Sequence, residues 1–221
     1  MRRTRCARRR TLEFLPLRAT VDAIIDDWLA AHPHAGDYGL LALHTHAHAD
    51  HTAADGQFAD RPSTVVVSAT RDAAWRYLGF TDEPEPEAQI DLGGRVLDCL
   101  ATPGHHQAAV TFYDRYTGIL FTGDTIYPGR LYVFDWQGFV RTIDWLVAWC
   151  SRRTVTHLLG CHIEMTTEPG VDYPIGWTYQ PDEPPLELTT EHLRQIQATL
   201  KAHDCQPGRY VLPRMIITPA G

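Results

Sequence analysis

The sequence predicts an α/β domain whose strand ends converge on a metal site. Three observations carry that expectation. Helical and strand patterns alternate along the chain, three separate strands empty into turns bearing His105, Asp124 and His162, and a histidine-rich stretch at 44–51 follows directly on the apolar run at 39–43. With 221 residues, 44% hydrophobic and 21% charged, the chain has the size and balance of one globular domain.

Taken in order, the first ten residues hold six arginines and no acid, although the whole chain carries a formal charge of -7. Residues 1–19 read as a disordered Arg-rich tail and residues 20–221 as one domain. Glu13, Pro16, Arg18 and Asp22 interrupt any apolar segment of the kind an export signal needs. From Thr20, as N-cap, to Ala31 the pattern is helical, with Val21, Ile24, Ile25, Trp28 and Leu29 on one face. His32-Pro33-His34-Ala35-Gly36 ends that helix as an exposed turn, which accounts for both histidines without a metal. A strand through Leu43 feeds the histidine stretch. The run from Thr64 to Ser68 then reads as a buried strand, and Arg71 to Leu78 as a short helix.

Glu83-Pro84-Glu85-Pro86-Glu87 is a rigid, solvated acidic connector. Beyond it the pattern is β: Gln89 to Leu92, a Gly93-Gly94 turn, then Arg95 to Ala101 running into Thr102-Pro103-Gly104-His105-His106. Ala109 to Tyr113 and Gly118 to Thr122 form a hairpin that ends in Gly123-Asp124-Thr125. A helix over Phe139 to Cys150 follows, then a strand from Val155 to Leu159 leading into Gly160-Cys161-His162. A Pro- and aromatic-rich loop at 169–185 precedes a helix capped by Thr189 or Thr190 and bearing Leu193, Ile196 and Leu200. Val211 to Ile217 forms a terminal strand.

The stretch His44-Thr45-His46-Ala47-His48-Ala49-Asp50-His51 crowds four imidazoles and a carboxylate together. Histidines two apart on an extended chain point to one side, so His46 and His48 reach one cation while the next turn delivers Asp50 and His51 to a second. Nitrogen donors with a carboxylate and no thiolate suit Zn²⁺ best, and Fe or Mn next. The bland alternative is a solvated His-rich loop. Convergence of His105, Asp124 and His162 from other turns weighs against it.

Cys6, Cys99, Cys150, Cys161 and Cys205 are odd in number and lack a Cys-x-x-Cys pair, which favours reduced thiols in a cytoplasm. Cys161 has two readings, a ligand beside His162 or a small apolar filler, and the filler is favoured. The acidic body argues against an extended nucleic-acid surface, and no apolar run reaches a membrane-spanning length.

With these residues laid out, the chain resembles the metallo-β-lactamase superfamily of metallo-hydrolases, which includes glyoxalase II and lactonases. His46-Ala47-His48-Ala49-Asp50-His51 matches its His-x-His-x-Asp-His signature. The Thr-Pro-Gly-His turn ending at His105, the Thr-Gly-Asp turn ending at Asp124 and the strand-end His162 follow in the family's order. The resemblance implies an αβ/βα four-layer sandwich. Only about forty residues precede the signature here, so some N-terminal strands are expected to be missing.

It also implies that His46, His48 and His105 hold one metal and Asp50, His51 and His162 a second, with Asp124 bridging. Two Zn²⁺ ions, with Fe or Mn as substitutes, would then activate a water to cleave an ester, thioester, lactone or similar bond in a small molecule. Asp50 would act as the catalytic residue, orienting the nucleophile and carrying its proton. His44, His106, Tyr127, Tyr132, Tyr173, Trp177 and Tyr179 are assigned to the substrate pocket, one of the tyrosines as oxyanion donor. The other reading of these aromatics is a loop core or a dimer contact. Two further readings of the whole stand beside the hydrolase: an iron-dependent oxidoreductase of persulfide-dioxygenase or flavodiiron type, and a non-catalytic metal-binding relative. The expected partners are a small molecule and a second copy of the chain, with no nucleic acid and no membrane.

Overall fold

An antiparallel meander organises the molecule. β3 (Glu87–Asp91), β4 (Val96–Ala101), β5 (Val110–Asp114) and β6 (Ile119–Gly123) pair in sequence order. β8 (His157–Gly160) adds parallel to β6, and β9 (Glu187–Leu188) completes a six-stranded sheet. The structure, a computed structural model, describes residues 15–33 and 38–220. Most of the expected Arg-rich tail, together with Cys6 and His34, lies outside the described residues.

Side-chain alternation sorts the two faces of this sheet. Leu100, Leu120, Leu158 and Leu188 pack with α4 (Trp136–Cys150) and α5 (Thr190–Ala202), through Phe139, Ile143, Leu146, Trp149, Leu193 and Ile196. Each such leucine, fully buried, contributes about 1.5–3 kcal/mol. Cys99, Val110 and Phe112 face the other way, onto Leu78 of α3 (Arg71–Leu78) and Leu43 at the mouth of the histidine stretch. One face is therefore the core, and the other supports the turns that carry the ligands. A three-stranded sheet of β10 (Tyr210–Val211), β11 (Ile216–Pro219) and β7 (Arg130–Val133) joins that core. The sheet nearest the amino terminus is a parallel pair, β1 (Leu40–Ala42) and β2 (Thr64–Val66).

The structure departs from the sequence reading at several elements. The first helix, α1, spans Leu17–Ala31, starting ahead of Thr20; Pro16 is its N-cap, and the Thr20 hydroxyl donates to the Pro16 carbonyl instead of capping. Its apolar face is only partly covered: Val21, Ile25 and Leu29 are half-buried, while Ile24 is 64% and Trp28 56% exposed. The small 3₁₀ turn Asp55–Phe58 packs beside it, and Arg61 donates to Asp22 at 2.7 Å. Nor is the run from Thr64 to Ser68 a buried strand. β2 is three residues long, and Val65 points outward from a two-stranded pair. α4 begins at Trp136, before Phe139, because Asp135 accepts a hydrogen bond from the Gly138 amide at 2.9 Å. Thr189 caps α5 in a capping box closed by His192. The terminal strand is really two, β10 and β11, folded back so that the Leu212 amide donates to the Met215 carbonyl. No helix among the described residues is long and apolar enough to cross a membrane.

Two arginine–carboxylate pairs tie the meander together: Arg95 holds Asp114, and Arg115 Nη2 donates to Asp98 Oδ1 at 2.6 Å. Both carboxylates are buried. Hydrogen bonding from Arg95 holds Asp114 well below the ordinary carboxylate range, against the opposing effect of burial. A carboxylate depressed in the folded state contributes stability above its unfolded pKa and loses it as pH falls toward the folded value. Asp114→Asn is therefore expected to lower the thermal midpoint at neutral pH, with the gap from the unsubstituted protein narrowing below about pH 4. Melting curves across that range test this, and a pH-independent gap would contradict it.

Candidate metal centre

All seven ligands expected from sequence meet at one end of the sheets. After β1 the chain runs on through His46 and His48, and the single turn α2 (Ala49–Thr52) carries Asp50 and His51. The turns after β4, β6 and β8 bring His105, Asp124 and His162. Two of these turns require glycine. At Gly104, φ is +147° and a Cβ would lie 2.7 Å from Phe139 Cα; at Gly123, φ is +55° and a Cβ would lie 2.6 Å from that of Thr45. The second approach seats the Asp124 turn directly against the histidine stretch. The Val110 amide pins that stretch from the other side, donating to the Thr45 carbonyl at 2.7 Å.

The donor atoms form two connected groups. His46 Nε2 and His105 Nε2 lie 2.9 and 3.0 Å from His48 Nδ1. Asp124 Oδ2 is 3.8 Å from His46 Nε2, 3.6 Å from His105 Nε2 and 3.2 Å from His162 Nε2. Asp50 Oδ2 lies 3.7 Å from His162 Nε2 and 3.8 Å from His51 Nε2. One carboxylate, Asp124, thus touches both groups. Zinc–nitrogen bonds of about 2.0–2.1 Å set tetrahedral donors about 3.3 Å apart, within the spacings found here.

The electrostatics call for a cation. His51 Nε2 and Asp124 Oδ1 are buried and lie 3.4 Å apart as an ion pair without forming a well-aligned hydrogen bond, although buried polar atoms nearly always form one. Burial is the chief cause that lowers His46 to about 2, and burial lowers His105 as well, so both rings stay neutral. Neutral imidazole is the form that binds metal. His105 Nδ1 donates to the Tyr132 carbonyl at 2.8 Å, which leaves the Nε2 lone pair for the site. Burial disfavours a charge on His51, but Asp124 and Cys161 beside it outweigh that and raise it to about 10. Burial likewise pushes Asp124 up, while His162 and His51 overcome it and hold the carboxyl well below its usual range. Imidazolium at His51 balances Asp124; a divalent cation held by these residues would take over that charge.

A cavity of about 450 Å³ opens on the cluster, lined by His48, Asp50, His105, Asp124 and His162 and by Tyr127, Arg130, Tyr132, Phe134, Glu164, Ile175 and Gln180. The expected pocket residues divide. Tyr132 lines the cavity, and its hydroxyl accepts from Arg130 Nε at 2.9 Å, keeping its own proton for a ligand. Tyr127 lines it too, but its buried hydroxyl donates to the Arg130 carbonyl, so it braces the start of β7. Tyr173 is buried, and its hydroxyl accepts from the Asp182 amide at 2.7 Å, holding the 169–185 loop together from within. Trp177 and Tyr179 are 56% and 71% exposed and lie off the cavity wall; Ile175, Gly176 and Gln180 take that place. The reason is Arg130, which draws the loop inward by donating to Asp172 Oδ2 at 2.7 Å and to the Tyr173 carbonyl at 2.6 Å. His44 is turned away to Asp55, its Nε2 2.8 Å from Oδ1. His106 lines a second cavity of about 500 Å³ with Arg71 and Trp75. Sequence reasoning missed Arg130, Phe134 and Glu164; a lone arginine between two tyrosines was the available signal.

Comparison with known proteins bears on this arrangement. Residues 41–200 match the family described as the metallo-beta-lactamase superfamily. The chain is 29% identical over 167 residues to an acyl-coenzyme A thioesterase MBLAC2 of Gallus gallus, covering 62% of this chain and 59% of that one. It is 30% identical over 111 residues to a hydroxyacylglutathione hydrolase of Synechococcus sp. (strain JA-2-3B'a(2-13)), covering 48% and 44%. The chain thus spans about half the length of the curated relatives it matches. Among solved structures, a metallo-beta-lactamase from Pontibacter korlensis aligns with a TM-score of 0.47 at 15% identity, over 79% of this chain and 74% of that one.

The shared position of Asp124 generates a graded outcome. His162→Ala is expected to cost one bound cation and Asp124→Ala both, read as metal content after loading and dialysis. Full retention of metal by Asp124→Ala would contradict the arrangement.

Proposed function

This chain belongs to the metallo-β-lactamase superfamily, and from that premise we propose that it is a dinuclear zinc hydrolase of small acyl esters, thioesters foremost. The observation that carries the reading is Asp124, whose Oδ2 lies within 3.2–3.8 Å of imidazoles from both donor groups and which borders the cavity of about 450 Å³. The emphasis on thioesters draws support from the relatives, one named an acyl-coenzyme A thioesterase and the other a hydroxyacylglutathione hydrolase. Both names pair an acyl group with a thiol-bearing carrier, coenzyme A in one and glutathione in the other. The free thiols of Cys99, Cys150, Cys161 and Cys205 support a reducing, cytoplasmic setting.

Held by these residues, a pair of divalent cations would supply Lewis acidity and a water acidic near neutral pH. The chain's own groups do the remainder. His46, His48 and His105 present nitrogen lone pairs to the first position, Asp50, His51 and His162 serve the second, and Asp124 is shared. Asp50 turns Oδ2 toward His162 and His51 while its half-exposed carboxylate borders the cavity, where it orients the attacking water and takes up its proton. Tyr132, its oxygen already engaged by Arg130, donates its hydroxyl proton in a hydrogen bond to the developing oxyanion. Arg130 is itself held by Asp172 and Glu164, at 2.7 and 3.1 Å, so its charge serves to position Tyr132. Phe134 and Ile175 give the acyl chain an apolar wall and exclude water.

On the zinc-loaded protein, Tyr132→Phe is expected to lower kcat about 10²–10³-fold with little change in KM, and Asp50→Asn about 10²–10⁴-fold. The assay is a panel of short acyl thioesters, oxygen esters, lactones, β-lactams and phosphodiesters, with a chelator control. Undiminished turnover by Tyr132→Phe would remove the oxyanion role, and turnover confined to phosphodiesters would remove the acyl substrate. Stoichiometric iron together with oxygen consumption would favour the oxidoreductase instead.

A further inference from the structure

Cys161 stands between β8 and His162, in the turn Gly160-Cys161-His162, and its side chain is exposed. Its amide donates to the Gly123 carbonyl at 3.2 Å, which fixes it beside the turn that bears Asp124. Its sulfur, a nitrogen of His51 and an oxygen of Asp124 all lie within 4.8 Å of one another. His51 Nε2 and Asp124 Oδ1, on side chains 10% and 8% exposed, are among the buried atoms that form no hydrogen bond, and they face each other at 3.4 Å. Asp124 meets His46, His105 and His162 through Oδ2 and His51 Nε2 through Oδ1, the latter at 3.4 Å, so Oδ1 faces the His51 and Cys161 side of the cluster.

We propose that Cys161 is a thiolate ligand of the second cation, joining His51 and Asp124 Oδ1 in a donor set that shares His51 with Asp50 and His162. The inference rests on the two-cation reading above and extends it to a residue that reading leaves idle. Ligation is a plain exchange: sulfur gives an electron pair to the cation, the thiol proton passes to solvent, and nothing is oxidised or reduced. A sulfur donor makes the second position softer than the first, favouring Zn²⁺ over Mn²⁺ there. The other described thiols have no such place, since Cys99 and Cys150 are buried in the core and Cys205 packs against it. The competing account is a surface thiol whose nearness to His51 and Asp124 has no function.

Two measurements on the full chain decide between them. After chelation and titration with Co²⁺, a sulfur-to-cobalt charge-transfer band is expected in the near ultraviolet. Cys161→Ser should abolish that band, retain the visible cobalt bands and weaken the second equivalent at least about tenfold, the scale lost even for an outer-shell partner. In the unsubstituted chain, Zn²⁺ is expected to protect Cys161 from iodoacetamide, read by peptide mass, so the test stands whether or not the variant folds. Cobalt bands without the sulfur band, or equal alkylation with and without Zn²⁺, would overturn the role of Cys161 and leave the hydrolase reading intact. Absence of any cobalt binding would overturn both.

Discussion

A carboxylate buried among imidazoles governs this structure. Asp124 sits in a protein interior with Oδ1 facing His51 at 3.4 Å and Oδ2 ringed by the imidazoles of His46, His105 and His162. An isolated ionised carboxylate there would cost several kcal/mol or more. The surrounding histidines offset that cost in part, and the proposed pair of divalent cations would offset it further. The glycine turns, the pinned histidine stretch and the strand ends all hold donors where this one charge needs them.

The scaffold explains how such a cluster is held. The core face of the six-stranded sheet is packed by α4 and α5, so its strands are fixed, and the turns leaving them inherit that rigidity. The amino-terminal elements are held differently. α1 buries none of its residues, and β2 leaves Val65 half exposed. Positional accuracy in the site therefore comes mainly from β4, β6 and β8, with the histidine stretch bound to them through Thr45. Arg130 extends the order outward, linking β7 to the 169–185 loop and setting the hydroxyl of Tyr132.

Much of this was legible in the chain because the information is local. His46 to His51 supply four donors within one stretch, and Pro103-Gly104 and Gly123 mark turns whose backbone conformation favours glycine. The 71–78 helix needed only its own residues and the left-handed Gly79 at its end. What escaped depends on partners distant in sequence. β7 is four residues long and becomes a strand through β11, so nothing in its own pattern announces it. Trp177 and Tyr179 read as a pocket wall because composition supplies no direction; Arg130 and Tyr173 decide which side of the loop faces in. Periodicity found the apolar face of α1, yet it says nothing about whether another element covers that face.

The most direct test of the central claim is the anomalous scattering of zinc in crystals of the loaded protein. The account predicts two peaks flanking the Asp124 carboxylate, one among His46, His48 and His105 and the other beside His51 and His162. A single peak remote from Asp124, or none at the cluster in protein shown to carry zinc, would contradict it.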